Sequence, residues 1–115
     1  MLDRKAILSA DDIPKGDLEI PEWGGTIQVR GFNARERTLV TEMYLKAQKE
    51  GRIQPKSIHA IVAVWCVLNG SGPMFTDDDI EALEAKSPEA LDRIAVKVQE
   101  LSGMSEKDLE AAVKN

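Results

Sequence analysis

His59 and Cys66 are the only residues of their types in the chain, and the first chemical question is whether they form a nucleophilic dyad. Such a pair must lie within hydrogen-bond reach. Seven positions apart, they would be separated by about 10.5 Å of rise on one helix. The dyad is excluded there, and Cys66, between Trp65 and Val67, reads as a small core hydrophobe. Asp77-Asp78-Asp79 invites a calcium reading. A calcium loop needs ligands at alternate positions, a central Gly and a distal Glu, and none of these falls in register; an acidic helix start is the better account. One His and one Cys cannot build a tetrahedral zinc site. Gly70-Ser71-Gly72 lacks the Gly-Lys-Ser/Thr ending of a phosphate loop, and Pro73 removes a backbone donor. Carboxylates alone would support acid/base chemistry only if two converged with their pKa values pushed apart. The expectation is a protein with no catalytic residues, no metal and no cofactor.

The elements that would position such residues centre on Ser57 to Ile80. Ile58, Ile61, Val62, Trp65 and Leu68 recur at helical spacing with mostly apolar residues between them, which predicts a helix buried on nearly all sides and a core role for Trp65. The run is too short for a bilayer, which takes about 20 apolar residues. Val64 to Leu68 is rich in β-branched and aromatic residues, so its end could instead be a strand pairing with Met74-Phe75 across the glycine turn.

Upstream, Asp3 can cap a short helix over 2–9 in which Leu2, Ala6 and Ile7 share a face, and 10–17 has loop composition. Leu18-Glu19-Ile20 and Thr26-Ile27-Gln28-Val29-Arg30 alternate around Pro21 to Gly25, the pattern of a β-hairpin with one apolar face of Leu18, Ile20, Ile27 and Val29. A lone hairpin is not stable in water, so this face must cover the helices or another chain. Asn33 and Glu36 form a capping box for a helix with the stripe Leu39, Val40, Met43, Tyr44 and Ala47, stapled by Phe32 and ended by Gly51. Pro55 suits the first position of the next helix. Thr76 starts a short helix with Ile80 and Leu83 inward. Ser87-Pro88 starts another with Leu91, Ile94, Ala95, Val98 and Leu101 inward, ended by Gly103. Ser105 and Asp108 would restart a last helix bearing Leu109, Ala112 and Val113. The expected fold is mainly α: one small domain over 1–115, with an arm and hairpin over 1–32 and a body of helices over 33–115, four to six helices in all. Trp23 sits in the hairpin connection, folded back or offered to a partner. The candidate partner surface is Trp23 with Ile20, Ile27, Val29 and Phe32.

The net charge of -5 favours solubility and argues against nucleic-acid binding. Residues 1–32 carry -2, residues 33–56 carry +3 and residues 57–115 carry -6. A single cysteine permits no internal disulfide and suits a reducing cytoplasm, and Met1 to Ala10 has no secretory character. The alternatives are a scaffold module, a small hydrolase or transferase using the acidic cluster, and a DNA-binding regulator using Arg35, Arg37, Lys46, Lys49, Arg52 and Lys56, which strong salt dependence would reveal.

The order of elements resembles the tail assembly chaperones of long-tailed, siphovirus-type bacteriophages. The resemblance is carried by Met1 to Leu8 followed by Ala10-Asp11-Asp12-Ile13-Pro14, by Leu18 to Gly25 leading into Ile27-Gln28-Val29-Arg30-Gly31, by Leu68-Asn69-Gly70 through Met74-Phe75-Thr76-Asp77-Asp78-Asp79-Ile80, and by Leu101 to Ser105. It runs over most of the chain, and its motifs are structural. The family often has Asp before the turn glycine, where this chain has Asn69-Gly70-Ser71-Gly72-Pro73. The resemblance implies a non-enzymatic helper in the host cytoplasm, absent from the finished tail, that binds the tape-measure protein and helps recruit tail tube subunits. In many members the tube is engaged through a longer, frameshifted form. The unpaired hairpin face and the opposite charges of the middle and the C-terminal part also predict self-association, head to tail.

Overall fold

The computed structural model describes residues 1–104. Helix α1 (Arg4–Ser9) precedes the hairpin β1 (Lys15–Ile20) and β2 (Gly25–Arg30), which is followed by α2 (Ala34–Lys49), α3 (Ile58–Cys66), the short strands β3 (Val67–Asn69) and β4 (Gly72–Pro73), α4 (Ile80–Glu84) and α5 (Pro88–Leu101). The four strands form one antiparallel sheet in the order β1-β2-β3-β4. The expected last helix from Ser105 lies outside the described residues.

This corrects the mainly α expectation: the fold is mixed α/β, with a four-stranded sheet beside five α-helices among the described residues. The physical cause lies at Val67. From Val64 to Leu68 every residue is apolar, so periodicity no longer separates a buried helix from a buried strand there, and the chain turns extended at Val67, at φ -78° and ψ 129°. Val67 and Leu68 then pair with Val29 and Gln28 of the hairpin, so the hairpin becomes the outer half of a larger sheet. Gly70 at φ 70° occupies the first central position of a tight turn that brings Leu68 opposite Pro73, the place where a type II′ turn demands glycine. The turn thus pairs β3 with Gly72-Pro73 instead of Met74-Phe75. Pro73 has no N–H, and the Met74 N–H donates to the Val67 carbonyl instead, at 3.0 Å. Lys15 to Asp17, loop-like in composition, are drawn into β1 by pairing with Gln28 to Arg30.

The helix ends follow from local chemistry. Asn33 and Glu36 form the reciprocal capping box of α2. Both long helices close in Schellman motifs, in which the N–H two residues past the cap returns to a carbonyl in the last turn. Gly51 (φ 77°) is followed by Arg52 N–H donating to the Ala47 carbonyl at 2.8 Å, and Gly103 (φ 69°) by Met104 N–H donating to the Gln99 carbonyl at 2.8 Å. Pro55 does not begin α3. Ser57 stands before the helix in the left-handed region at φ 62°, and its hydroxyl donates to Glu84 Oε1 at 2.6 Å, tying α3 to α4.

Helix α5 packs across α3 and against both strands of the hairpin. The core between these layers holds Ile20, Val29, Phe32, Val62, Cys66, Val67, Leu83, Leu91, Ile94 and Val98. Trp65 is only partly buried and meets Phe32 edge-on, with ring centroids 6.3 Å apart. The core role expected of Trp65 is thus met only at the margin of the core. Of the α2 stripe, Val40 and Ala47 are buried, Met43 and Tyr44 pack partly against the core, and Leu39 stays exposed. No residue of α1 is buried.

Candidate interaction surfaces

The hairpin uses its apolar face internally. Ile20 and Val29 are 0% exposed and Phe32 is 8% exposed, and Leu18 and Ile27 pack partly against the same core. The five residues expected to meet a partner are thus divided. Ile20, Val29 and Phe32 are committed to the chain's own core and Ile27 lies at its margin, while Trp23 is 37% exposed at the end of the 3-10 turn Pro21–Trp23. Gly24, at φ 72°, returns the chain into β2. The connection is anchored on α5 by Arg93 Nη2, 3.4 Å from Glu22 Oε2, so the exposed part of Trp23 is held beside that helix.

Next to this connection, Leu18 and Val96 line a shallow dish of about 320 Å³, edged by Asp92, Arg93, Lys97 and Glu100. Val96 is a large aliphatic side chain left 53% exposed on a helix whose other apolar positions are used in the core. With both charge signs around its edge, the dish suits an apolar ridge flanked by mixed charges, as a helix surface presents.

A second depression is lined by residues of β1, β2, α2, α3, β3 and β4 and of the loops beside them. It is an open groove of about 560 Å³ with apolar walls of Ile13, Val64, Trp65, Leu68, Pro73 and Phe75. Arg30 and Glu36 also line it, through an arrangement that periodicity could not reveal. The Arg30 guanidinium donates from Nη1 to Glu36 Oε1 (2.7 Å) and the Gly31 carbonyl (2.9 Å), and from Nη2 to Glu36 Oε2 (2.9 Å) and the Trp65 carbonyl (2.7 Å). The fork-to-fork pairing with Glu36 is the strongest arrangement open to these two side chains. It also places a cation on a carbonyl at the C-terminal end of α3, where the helix dipole favours it. The Glu36 carboxylate holds the guanidinium above its already high ordinary value, while burial acts the other way.

No family model, curated protein or solved structure matches the chain. The candidate surfaces therefore rest on their own geometry.

Other chemistry-bearing residues are spread apart. His59 Nδ1 lies 2.9 Å from Asp92 Oδ1, linking α3 to α5, while Cys66 is fully buried. Burial pushes its thiol up to about 12, against the pull of Arg30. Among the described residues no three His, Cys, Asp or Glu side chains converge as metal ligands would. No helix among them is long and apolar enough to cross a membrane. Of the six cations of the basic stretch, Arg35, Arg37, Lys46, Lys49 and Lys56 are exposed, while Arg52 is partly buried beside Glu50 at 3.0 Å.

Proposed function

We propose that this chain is a phage tail assembly chaperone, a non-enzymatic protein that binds the tape-measure protein, helps recruit tail tube subunits and leaves before the tail is finished. The observation that carries the reading is the apolar surface held at the junction of the hairpin and α5. Leu18 and Val96 line an open dish with charges of both signs at its edge, and Trp23 stands on the connection packed against the same helix. A tape-measure segment would lay an apolar helical ridge there, with its flanking charges meeting Asp92, Arg93, Lys97 and Glu100. The order of strand, turn, Phe75-Thr76 and acidic helix start supports the family reading independently. The surface differs from the one expected of the hairpin alone, because Ile20, Val29 and Phe32 are occupied inside the chain.

Co-expression with a tape-measure segment tests the proposal. The wild-type chain should keep the segment soluble and co-purify with it, and Val96→Asp combined with Trp23→Ala should lose both effects while the circular dichroism spectrum is unchanged. Equal solubility of the segment with and without the wild-type chain would refute it.

A further inference from the structure

The N-terminal segment has the character of a docking arm. Helix α1 spans six residues, none of them buried, and leaves Leu2 78%, Ile7 57% and Leu8 68% exposed. Helices this short do not persist in water without packing, although this one is capped by Asp3, whose carboxylate accepts from the Ala6 N–H at 2.8 Å. Leu2 and Ile7 occupy the two positions of a hydrophobic staple and, with Leu8, make an apolar end. Of the polar residues between them, Asp3 is spent on the cap, while Arg4 and Lys5 carry no ion pair among the described residues.

A surface of matching character exists on the same molecule, the groove walled by Trp65, Pro73 and Phe75. Its two cations are already engaged, Lys15 by Asp11 at 3.2 Å and Arg30 by Glu36. Asp77, on its edge, and the neighbouring Asp78 are exposed and have no ion pair among the described residues. The exposed apolar residues and unpaired cations of the arm are thus complementary in character to the apolar walls and unpaired anions of the groove.

The root of the arm decides whose groove it enters. Pro14 is anchored by its carbonyl, which accepts from the Gly31 N–H at 2.9 Å. Ile13, itself part of the groove wall, precedes proline and is restricted to extended backbone. Ala10 is likewise extended, at ψ 134°. The chain bends at Ile13, and residues 1–9 are all exposed with none of them lining this groove, so the arm does not cover the groove of its own chain.

We propose that the arm of residues 1–9 docks in the Trp65–Phe75 groove of a second copy of this chain. One arm and one groove per copy make the contact heterologous, so association runs head to tail and lengthens with concentration. The contact is separate from the client dish on α5 and does not depend on the client's identity.

The test uses the full chain. Sedimentation velocity of the wild type should show weight-average mass rising with concentration. In a Trp23→Phe background the emission of Trp65 should shift to the blue over the same range. Arg4→Glu/Lys5→Glu and, separately, Asp77→Lys/Asp78→Lys should each weaken association at least tenfold with unchanged helical content. An equimolar mixture of the two variants should regain it, because each arm then faces a groove of opposite charge. Ile7→Asp should abolish association and leave the Trp65 emission fixed. A wild type that remains monomeric throughout overturns the proposal, including the case in which the arm proves to cover its own groove by concentration-independent protection from hydrogen exchange. Association that survives Ile7→Asp, or a mixture no better than its parts, overturns it as well. Failure here leaves the client test untouched, since Val96 and Trp23 lie outside the groove.

Discussion

Removing Glu36 tests whether the Arg30 junction holds three elements together. Glu36→Ala severs two guanidinium bonds, at 2.7 and 2.9 Å, and the capping bond from the Asn33 N–H at 3.1 Å. Hydrogen bonds to charged groups contribute about 1.5–3 kcal/mol each. The side chains of Arg30 and Glu36 retain 20% and 13% exposure, so water replaces part of what is lost. Their remaining desolvation makes the stranded guanidinium costly, and breaking a fully buried pair costs about 3–5 kcal/mol. The expected destabilisation is about 3 kcal/mol, at the lower edge of that range. Arg30→Met should cost a similar amount, because it also uncaps the Trp65 carbonyl. The decisive quantity is the coupling energy from the double-mutant cycle, measured by urea denaturation with circular dichroism and tryptophan fluorescence in parallel. A value of about 1.5–3 kcal/mol is expected, little altered by salt. A coupling below about 0.5 kcal/mol, the range of exposed pairs, would refute the reasoning.

Three further outcomes follow from the packing. Phe32→Ala should destabilise by about 3–5 kcal/mol and Trp65→Ala by about 2 kcal/mol, because only the first ring is fully buried; the reverse order in chemical denaturation would mean that the groove wall is the true core. Ser102→Ala should cost about 1–2 kcal/mol, since the Phe32 N–H, donating to Ser102 Oγ at 2.8 Å, loses its acceptor; unchanged exchange of that amide would count against it. The folded Cys66 thiol keeps its proton up to about 12, whereas an unperturbed one releases it near 9.0. Its contribution to stability is thus intact below about pH 9 and declines above it by up to about 1.4 kcal/mol per unit. A Cys66→Ala variant should lack this slope, and native Cys66 should react with a thiol reagent only as fast as the chain unfolds.

Much of the fold was legible wherever structure is written over a few neighbouring residues. Asn33 with Glu36, Gly51 and Gly103 mark helix ends by local hydrogen bonding, and the alternation of Leu18, Ile20, Ile27 and Val29 gives the hairpin its buried face. What was not legible depends on contacts distant in sequence. Val67 is extended because Val29 is there to pair with it, and Lys15 to Asp17 become strand only against β2. Ser57 takes its left-handed conformation in a setting where Glu84 receives its hydroxyl. The division of the expected partner residues has the same cause: an unpaired hairpin must cover something, and its strands pack against α5. Glu36 was visible as a capping residue, but the bond from Arg30 onward to the Trp65 carbonyl spans 35 positions and has no periodic signature.

The two margins of the sheet bear on how such a protein survives its own concentration. β4 ends on Pro73, which has no N–H to offer an incoming strand, and β1 carries Lys15, Asp17 and Glu19 exposed along its length. Proline and charge at the margins are the usual guards against strand addition. The client binding proposed above would be defeated if the sheet could recruit its clients as further strands. With both margins closed in this way, contacts with other chains are steered to side-chain surfaces, which can let go.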